Sequence, residues 1–195
     1  MNIDYQRTIK AFAELGAKNV DEKYSQLNQT TLFDEFERGE ISANDFRTGI
    51  RKVFGADVTD ASIDDAWNAM LLDLPANRLD LLGRLQGNKR LVLLSNTNAI
   101  HANVFEAEMK AVHGIEDLSG FFEKVYYSFE VGMRKPEERI FQLVINELGF
   151  APEETLFIDD SPQHIEGAKK VGLNAYYLRA DQGETILDLF GDFLA

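Results

Sequence analysis

Two adjacent carboxylates, Asp159 and Asp160, follow the apolar run Leu156-Phe157-Ile158 in "TLFIDDSPQHIEGAKKVG". A short apolar run that ends in acids reads as a buried strand delivering charge to a surface. An unpaired carboxylate is costly wherever water is partly excluded, so a positive group belongs beside it. Two acids suit Mg2+, a hard cation that prefers oxygen and keeps several waters. An earlier apolar run, "RLVLLSN", leads into Ser95-Asn96-Thr97-Asn98. A hydroxyl and the next backbone N–H, ahead of a helix, suit a phosphate oxygen. Between these two runs lies "GMRKPEE", where Lys135 offers a compact point charge to the same dianion. Each feature also has a plainer reading. Ser95–Asn98 and the acid pair would serve as helix caps, and Lys135 as a solvated loop lysine. Taken together, a hydroxyl, a lysine and a carboxylate pair at strand ends compose a phosphoryl-transfer site, where catalysis is mostly positioning and charge stabilisation.

Such a site needs strands to carry it, and the periodicity supplies them after Pro75. Strands are expected at residues 90–96, 124–129, 155–160 and 174–179. Helices are expected between them, near 98–112, over 136–149 with Pro136 at the first position, and after Pro162. A helix with Leu79, Leu82 and Leu85 precedes the first strand, and "ETILDLFGDFL" closes the chain as another. Short apolar strands alternating with helices predict parallel βαβ units, an α/β doubly wound core over residues 76–195. Ligands of such sheets bind beyond the carboxyl ends of the strands, where Ser95, Asn96, Asp159 and Asp160 fall.

Residues 1–75 read as helical throughout, a separate cap domain. Tyr5–Leu15 is amphipathic. "SANDFRTGIRKVFG" opens with a capping box, Ser42 with Asp45, and carries Phe46, Ile50, Val53 and Phe54 before Gly55 ends it. "DASIDDAWNAMLLDLP" continues the same period through Ile63, Trp67, Met70 and Leu71 up to Pro75.

Composition narrows the function. The 195 residues include no cysteine, which excludes disulfides, thiolate catalysis and Cys-ligated zinc. His101, His113 and His164 lack the short spacing of a zinc site and read as surface or loop residues. The formal net charge of −13 disfavours nucleic acid as a partner. No apolar run approaches the roughly 20 residues of a membrane span, and the start lacks a signal-peptide core. A cytoplasmic monomer acting on a small molecule is the expectation.

At its strand ends the chain resembles the haloacid dehalogenase superfamily of phosphatases. "LVLLSNTN" resembles its second motif, "GMRKPEERIF" its third and "LFIDDSPQHIEGAKKVG" its fourth. The nearest likeness is to the subgroup of sugar-phosphate phosphatases around the bacterial α-glucose-1-phosphate phosphatase. That subgroup shares a helical cap with an "ERGEIS" run. The resemblance implies an Mg2+-dependent phosphatase of small phosphorylated metabolites. Ser95 and the Asn96 backbone would hold the phosphoryl group, and Lys135 would neutralise phosphate and nucleophile. Asp160 would bind Mg2+ directly, with Asp159 assisting through water or hydrogen bonds. His164 falls where many members place a further acid. The cap would select the substrate, with "FERGEIS" (36–42) facing the site.

One departure stands out. The family's first motif, an apolar strand ending in the nucleophilic Asp, has no counterpart in residues 1–195. "NIDYQRT" resembles the segment just after that motif, and no apolar strand precedes Asp4. The expectation is a chain that begins about ten residues late, lacks the central strand of its sheet, and is inactive as it stands. The alternative is a non-catalytic phosphate-ligand-binding or interaction protein. A response-regulator receiver would put the acid pair first and the lysine last, the reverse of the order here. A dehalogenase would need no acid pair for Mg2+.

Overall fold

A computed structural model describes residues 1–16, 19–20, 31–54 and 58–191. The chain divides into two compact units, Met1–Ala76 with Val92–Gly132, and Asn77–Leu91 with Met133–Ala195.

The first unit opens with helix α1 (Tyr5–Glu14), capped by the Asp4 carboxylate, which accepts from the Gln6 N–H at 3.0 Å. Helices α2 (Thr31–Glu37), α3 (Ala43–Phe54) and α4 (Asp60–Asn68) follow. The expected capping box starts α3: the Asp45 N–H donates to Ser42 Oγ, and the Ser42 N–H donates to Asp45 Oδ2. The expected end of that helix at Gly55 lies outside the described residues. The apolar faces of these helices meet in one aromatic cluster. Phe12 stacks on Phe54 at 5.0 Å and Phe36 on Phe46 at 4.3 Å, while Trp67 tilts against both Phe33 and Phe46 at 5.0 Å. Each buried aromatic of this kind contributes about 1.5–3 kcal/mol before ordering entropy is counted.

Helix α4 stops seven residues short of Pro75. Leucines favour helix, yet here the backbone of residues 70–73 is taken up by the extended start of the chain. The Asp4 N–H donates to the Met70 carbonyl, the Leu72 N–H to Asn2 and the Asn2 N–H to Asp73, with Ile3 bridging Leu71 antiparallel. Tertiary pairing overrides local propensity. The Thr8 hydroxyl, fully buried, donates to the Trp67 carbonyl and accepts from the Met70 N–H, satisfying the end of α4.

The same unit contains strand β1 (Val92–Ser95), helix α6 (Ala99–His113), strand β2 (Lys124–Tyr127) and the short helix α7 (Ser128–Val131). Strands β1 and β2 pair in parallel, and Ser95 sits opposite Tyr127. Strand β2 ends earlier than residue 129 because Ser128 already turns into α7.

The second unit holds α5 (Ala76–Gln86, from the second residue on), α8 (Glu138–Leu148), strand β3 (Leu156–Asp159), α9 (Pro162–Lys170), strand β4 (Asn174–Tyr177) and α10 (Ile186–Leu189). Strands β3 and β4 are parallel, with Asp159 opposite Tyr177. Pro136 is not the first residue of α8. It follows a cis peptide bond in a turn closed by the Glu137 N–H and the Arg134 carbonyl. The last helix is a single turn, set by a capping box of Thr185 and Asp188, and residues 192–195 lie outside the described residues. The secondary structure is α/β with parallel strands, as the alternation of apolar runs and helical periods predicts.

Candidate active site

The end of β3 is built around one carboxylate. Asp159 Oδ2 accepts from Lys135 Nζ at 2.7 Å, and both side chains are 8% exposed. Asp159 Oδ1 accepts from the Ser161 N–H at 2.9 Å and meets His164 Nδ1 at 2.8 Å. Burial pushes the Asp159 carboxyl up. The His164 hydrogen bond and the Lys135 charge outweigh burial and hold its pKa at about 2. Asp159 is therefore an ionised anchor for a buried ammonium.

Packing explains how Lys135 reaches it. Gly167 of α9 faces the backbone of Pro136 so closely that an added Cβ would lie 2.5 Å from the Pro136 carbonyl oxygen. Only glycine permits that approach, which presses the Lys135–Pro136 segment onto the helix that follows Asp159. The Lys135 ammonium also lies 5.5 Å from the centroid of the Phe157 ring, and Phe157 meets Phe141 edge-on at 5.2 Å. The "GMRKPEE" and "DDSPQHIEGA" runs, 24 residues apart at Lys135 and Asp159, form one local structure.

Asp160, the second acid, is exposed. Magnesium is commonly held by one or two carboxylates, several waters and the substrate's own phosphate. The donor chemistry here fits that minimal set through Asp160, because both oxygens of Asp159 already serve nitrogen donors. Among the described residues no group of three or more His, Cys, Asp or Glu is gathered for a metal.

The end of β1 is held differently. Asn98 caps α6: its Oδ1 accepts from the His101 N–H at 3.1 Å and, at a long 3.4 Å, from the Trp67 indole. Thr97 is clamped through its backbone by Ser128. Ser95, the last residue of β1, and Asn96 precede these anchors and are partly exposed. The capping reading of this loop thus belongs to Asn98.

Two histidines depart from the surface-or-loop expectation. His101 is buried, stacks on Trp67 at 4.9 Å and pairs with the Asn68 side-chain carbonyl at 2.9 Å, and burial pushes its pKa down to about 4. His164 is the Asp159 partner. Its spacing of five residues from Asp159, one turn into α9, was the available signal. For His101 the signal was the cap spacing Asn98-x-x-His101. The "FERGEIS" segment turns at Gly39, whose φ of 68° favours glycine and whose added Cβ would lie 2.2 Å from the Phe129 carbonyl oxygen. The segment thus packs on the residue next to Ser128, close after the end of β2.

Comparison with known proteins bears on family and fold. Over 176 residues, covering 90% of this chain and 85% of the relative, the sequence is 29% identical to the D-ribitol-5-phosphate phosphatase of Bacteroides thetaiotaomicron. The fold matches the crystal structure of a HAD family enzyme from Bacteroides thetaiotaomicron with a TM-score of 0.88 and 38% identity, over 97% of this chain and 92% of that one. The wild-type form of that enzyme was also crystallised in complex with magnesium and inorganic phosphate. A predicted HAD-like family hydrolase from Porphyromonas gingivalis matches with a TM-score of 0.86 and 32% identity, over 100% of this chain and 92% of that one. The family profile of the haloacid dehalogenase-like hydrolases matches residues 5–172, and the chain belongs to that family.

Proposed function

We propose that this chain serves an Mg2+-dependent phosphatase of small phosphorylated metabolites, with sugar and polyol phosphates as the substrate class. The observation that carries the reading is the buried Lys135–Asp159 pair, 2.7 Å apart at the end of a parallel strand. A buried ammonium fixed by a carboxylate is oriented in advance to neutralise a phosphoryl oxygen. The similarity to a D-ribitol-5-phosphate phosphatase supports the substrate class, and a neighbour's complex with magnesium and inorganic phosphate supports the metal.

In this reading Lys135 binds the phosphoryl group and screens the attacking carboxylate. Ser95 and the Asn96 N–H donate hydrogen bonds to phosphate oxygens. Asp160 is the metal ligand, and Asp159 is the partner that holds Lys135 and steadies the Asp160 turn. Magnesium, when bound, neutralises charge on the phosphate oxygens. Residues 1–75 act as a helical cap that chooses among substrates, and residues 76–195 as the α/β core. The protein works as a cytoplasmic monomer, and no helix among the described residues is long and apolar enough to cross a membrane.

The nucleophile is the finer part of the proposal. Asp4 is occupied as the cap of α1 and lies near Arg7 at its exposed surface. We assign no attacking carboxylate among the described residues, and in this reading a polypeptide of residues 1–195 alone binds phosphate without turning over esters. Supplying an apolar strand that ends in Asp ahead of residue 1 is the test. Hydrolysis of ribitol 5-phosphate and a panel of sugar phosphates should then appear, require Mg2+ and disappear with Lys135→Ala. Silence of the extended protein across that panel would leave the phosphate-binding reading in its place. Turnover by residues 1–195 that Lys135→Ala abolishes would overturn the nucleophile assignment.

A further inference from the structure

We propose that Ser128 is a positioning residue for the β1–α6 loop, and that it sets the geometry in which Ser95 and Asn96 meet an anion. The inference rests on the reading of that loop as a phosphoryl-binding element. Ser128 is fully buried and directly follows Tyr127, the strand partner of Ser95. Its hydroxyl accepts from the Thr97 N–H at 3.0 Å and donates to the Thr97 carbonyl at 2.9 Å. A serine hydroxyl has one proton and two lone pairs, so both bonds form at once.

The consequence is local and geometric. The Thr97 N–H shares a rigid peptide plane with the Asn96 carbonyl, and the Thr97 carbonyl shares one with the Asn98 N–H. One side chain therefore fixes both planes that flank Thr97. The next residue, Asn98, is fixed by its cap to His101 and its contact with Trp67. On the other side, Ser95 is fixed by pairing of β1 with β2. Ser95 and Asn96 thus lie between two anchored points. Removing Ser128's hydroxyl would free the later anchor while the strand pairing stays. Thr97 is itself buried, so its N–H and carbonyl would have no water to replace the lost partner. Errors of a fraction of an ångström at an anion's donors are enough to weaken binding.

The test compares Ser128→Ala, Ser128→Cys and Ser128→Thr in the full 195-residue chain, with inorganic phosphate as the probe. Two quantities are read: amide hydrogen exchange at Thr97, and phosphate affinity by calorimetry. In Ser128→Ala the Thr97 amide should lose protection and phosphate affinity should fall about tenfold, the scale of one lost hydrogen bond. Ser128→Thr, which keeps the hydroxyl, should restore both. Ser128→Cys conserves volume but weakens both bonds, and it serves as the reading if the alanine variant does not fold. Lys135→Ala is the contrast: it should lose phosphate while Thr97 stays protected. Unchanged Thr97 protection in the alanine or cysteine variant would overturn the inference whatever phosphate does. So would lost protection with unchanged phosphate affinity. If the unmodified chain binds no phosphate, the proposed function fails, while the exchange data separately decide whether Ser128 locks the loop.

Discussion

The loops that follow β1 and β3 both end a four-residue parallel strand, and both are proposed to handle the same phosphoryl group, yet different forces hold them. After β1 neutral hydrogen bonds hold the backbone: Ser128 to both sides of Thr97, and Asn98 to His101 and Trp67. After β3 the restraints converge on one charged group, the Asp159 carboxylate, which is met by the Lys135 ammonium, the Ser161 N–H and the His164 ring. A neutral clamp holds a backbone in place without attracting ions of its own. A charged one attracts and orients, but each partner depends on the other, because neither ion can be left alone where water is scarce.

Breaking the charged end should have the largest effect. Lys135→Ala strands the Asp159 carboxylate, which is held near pKa 2 by its partners. The loss in stability should be about 3–5 kcal/mol by urea denaturation, the range for removing one member of a buried pair. Lys135→Met combined with Asp159→Asn removes both charges and should recover much of that loss. If the double variant is no better than the single one, packing of the lysine stem, and not charge, is what matters there.

Acid should separate the two regions next. Burial lowers the pKa of His101 to about 4 from an ordinary 6.5, so the unfolded chain binds the proton more readily than the folded one. Stability from this group is fully present above pH 6.5 and is lost as pH falls toward 4. The loss approaches about 3 kcal/mol, since a tenfold change in proton affinity is worth roughly 1.4 kcal/mol. The sole tryptophan, Trp67, stacks on His101, and its fluorescence should follow the change. His101→Gln should flatten the slope of stability against pH in that window. An equally steep slope in the variant would assign the acid sensitivity elsewhere.

The neutral end should respond less to a single truncation. Asn98→Ala removes a helix cap and the partner of the Trp67 indole, for an expected cost of about 2 kcal/mol. Asn98→Asp keeps the acceptor and should restore most of it. Thermal melts of the two variants check this, and equal melting temperatures would count against the cap.

Much of the framework that carries these loops was legible in the sequence. The apolar runs ending at Ser95 and Asp159, the Ser42–Asp45 box and the parallel α/β class follow from period, cap chemistry and alternation. What escaped was set by distant partners. The end of α4 at Asn68 depends on residues 2–4, which sit far away in the chain. The Ser128–Thr97 clamp joins residues 31 apart, and no local pattern marks a buried serine as a partner. The His164–Asp159 contact is nearer, but a loop histidine and an orienting one look alike until the helix direction is known. The end of β2 was overestimated because Ser128 fits an extended pattern, whereas it is the first residue of α7.

The central claim is that the buried Lys135 ammonium at the end of β3 is an anion-binding group. Calorimetric titration of inorganic phosphate into the 195-residue chain, beside Lys135→Ala and Lys135→Arg, tests it most directly. The account predicts saturable one-to-one binding to the unmodified chain, abolished in the alanine variant and partly kept in the arginine one, where the charge remains. Equal binding by the unmodified chain and by a folded Lys135→Ala, or no binding by either, would contradict it.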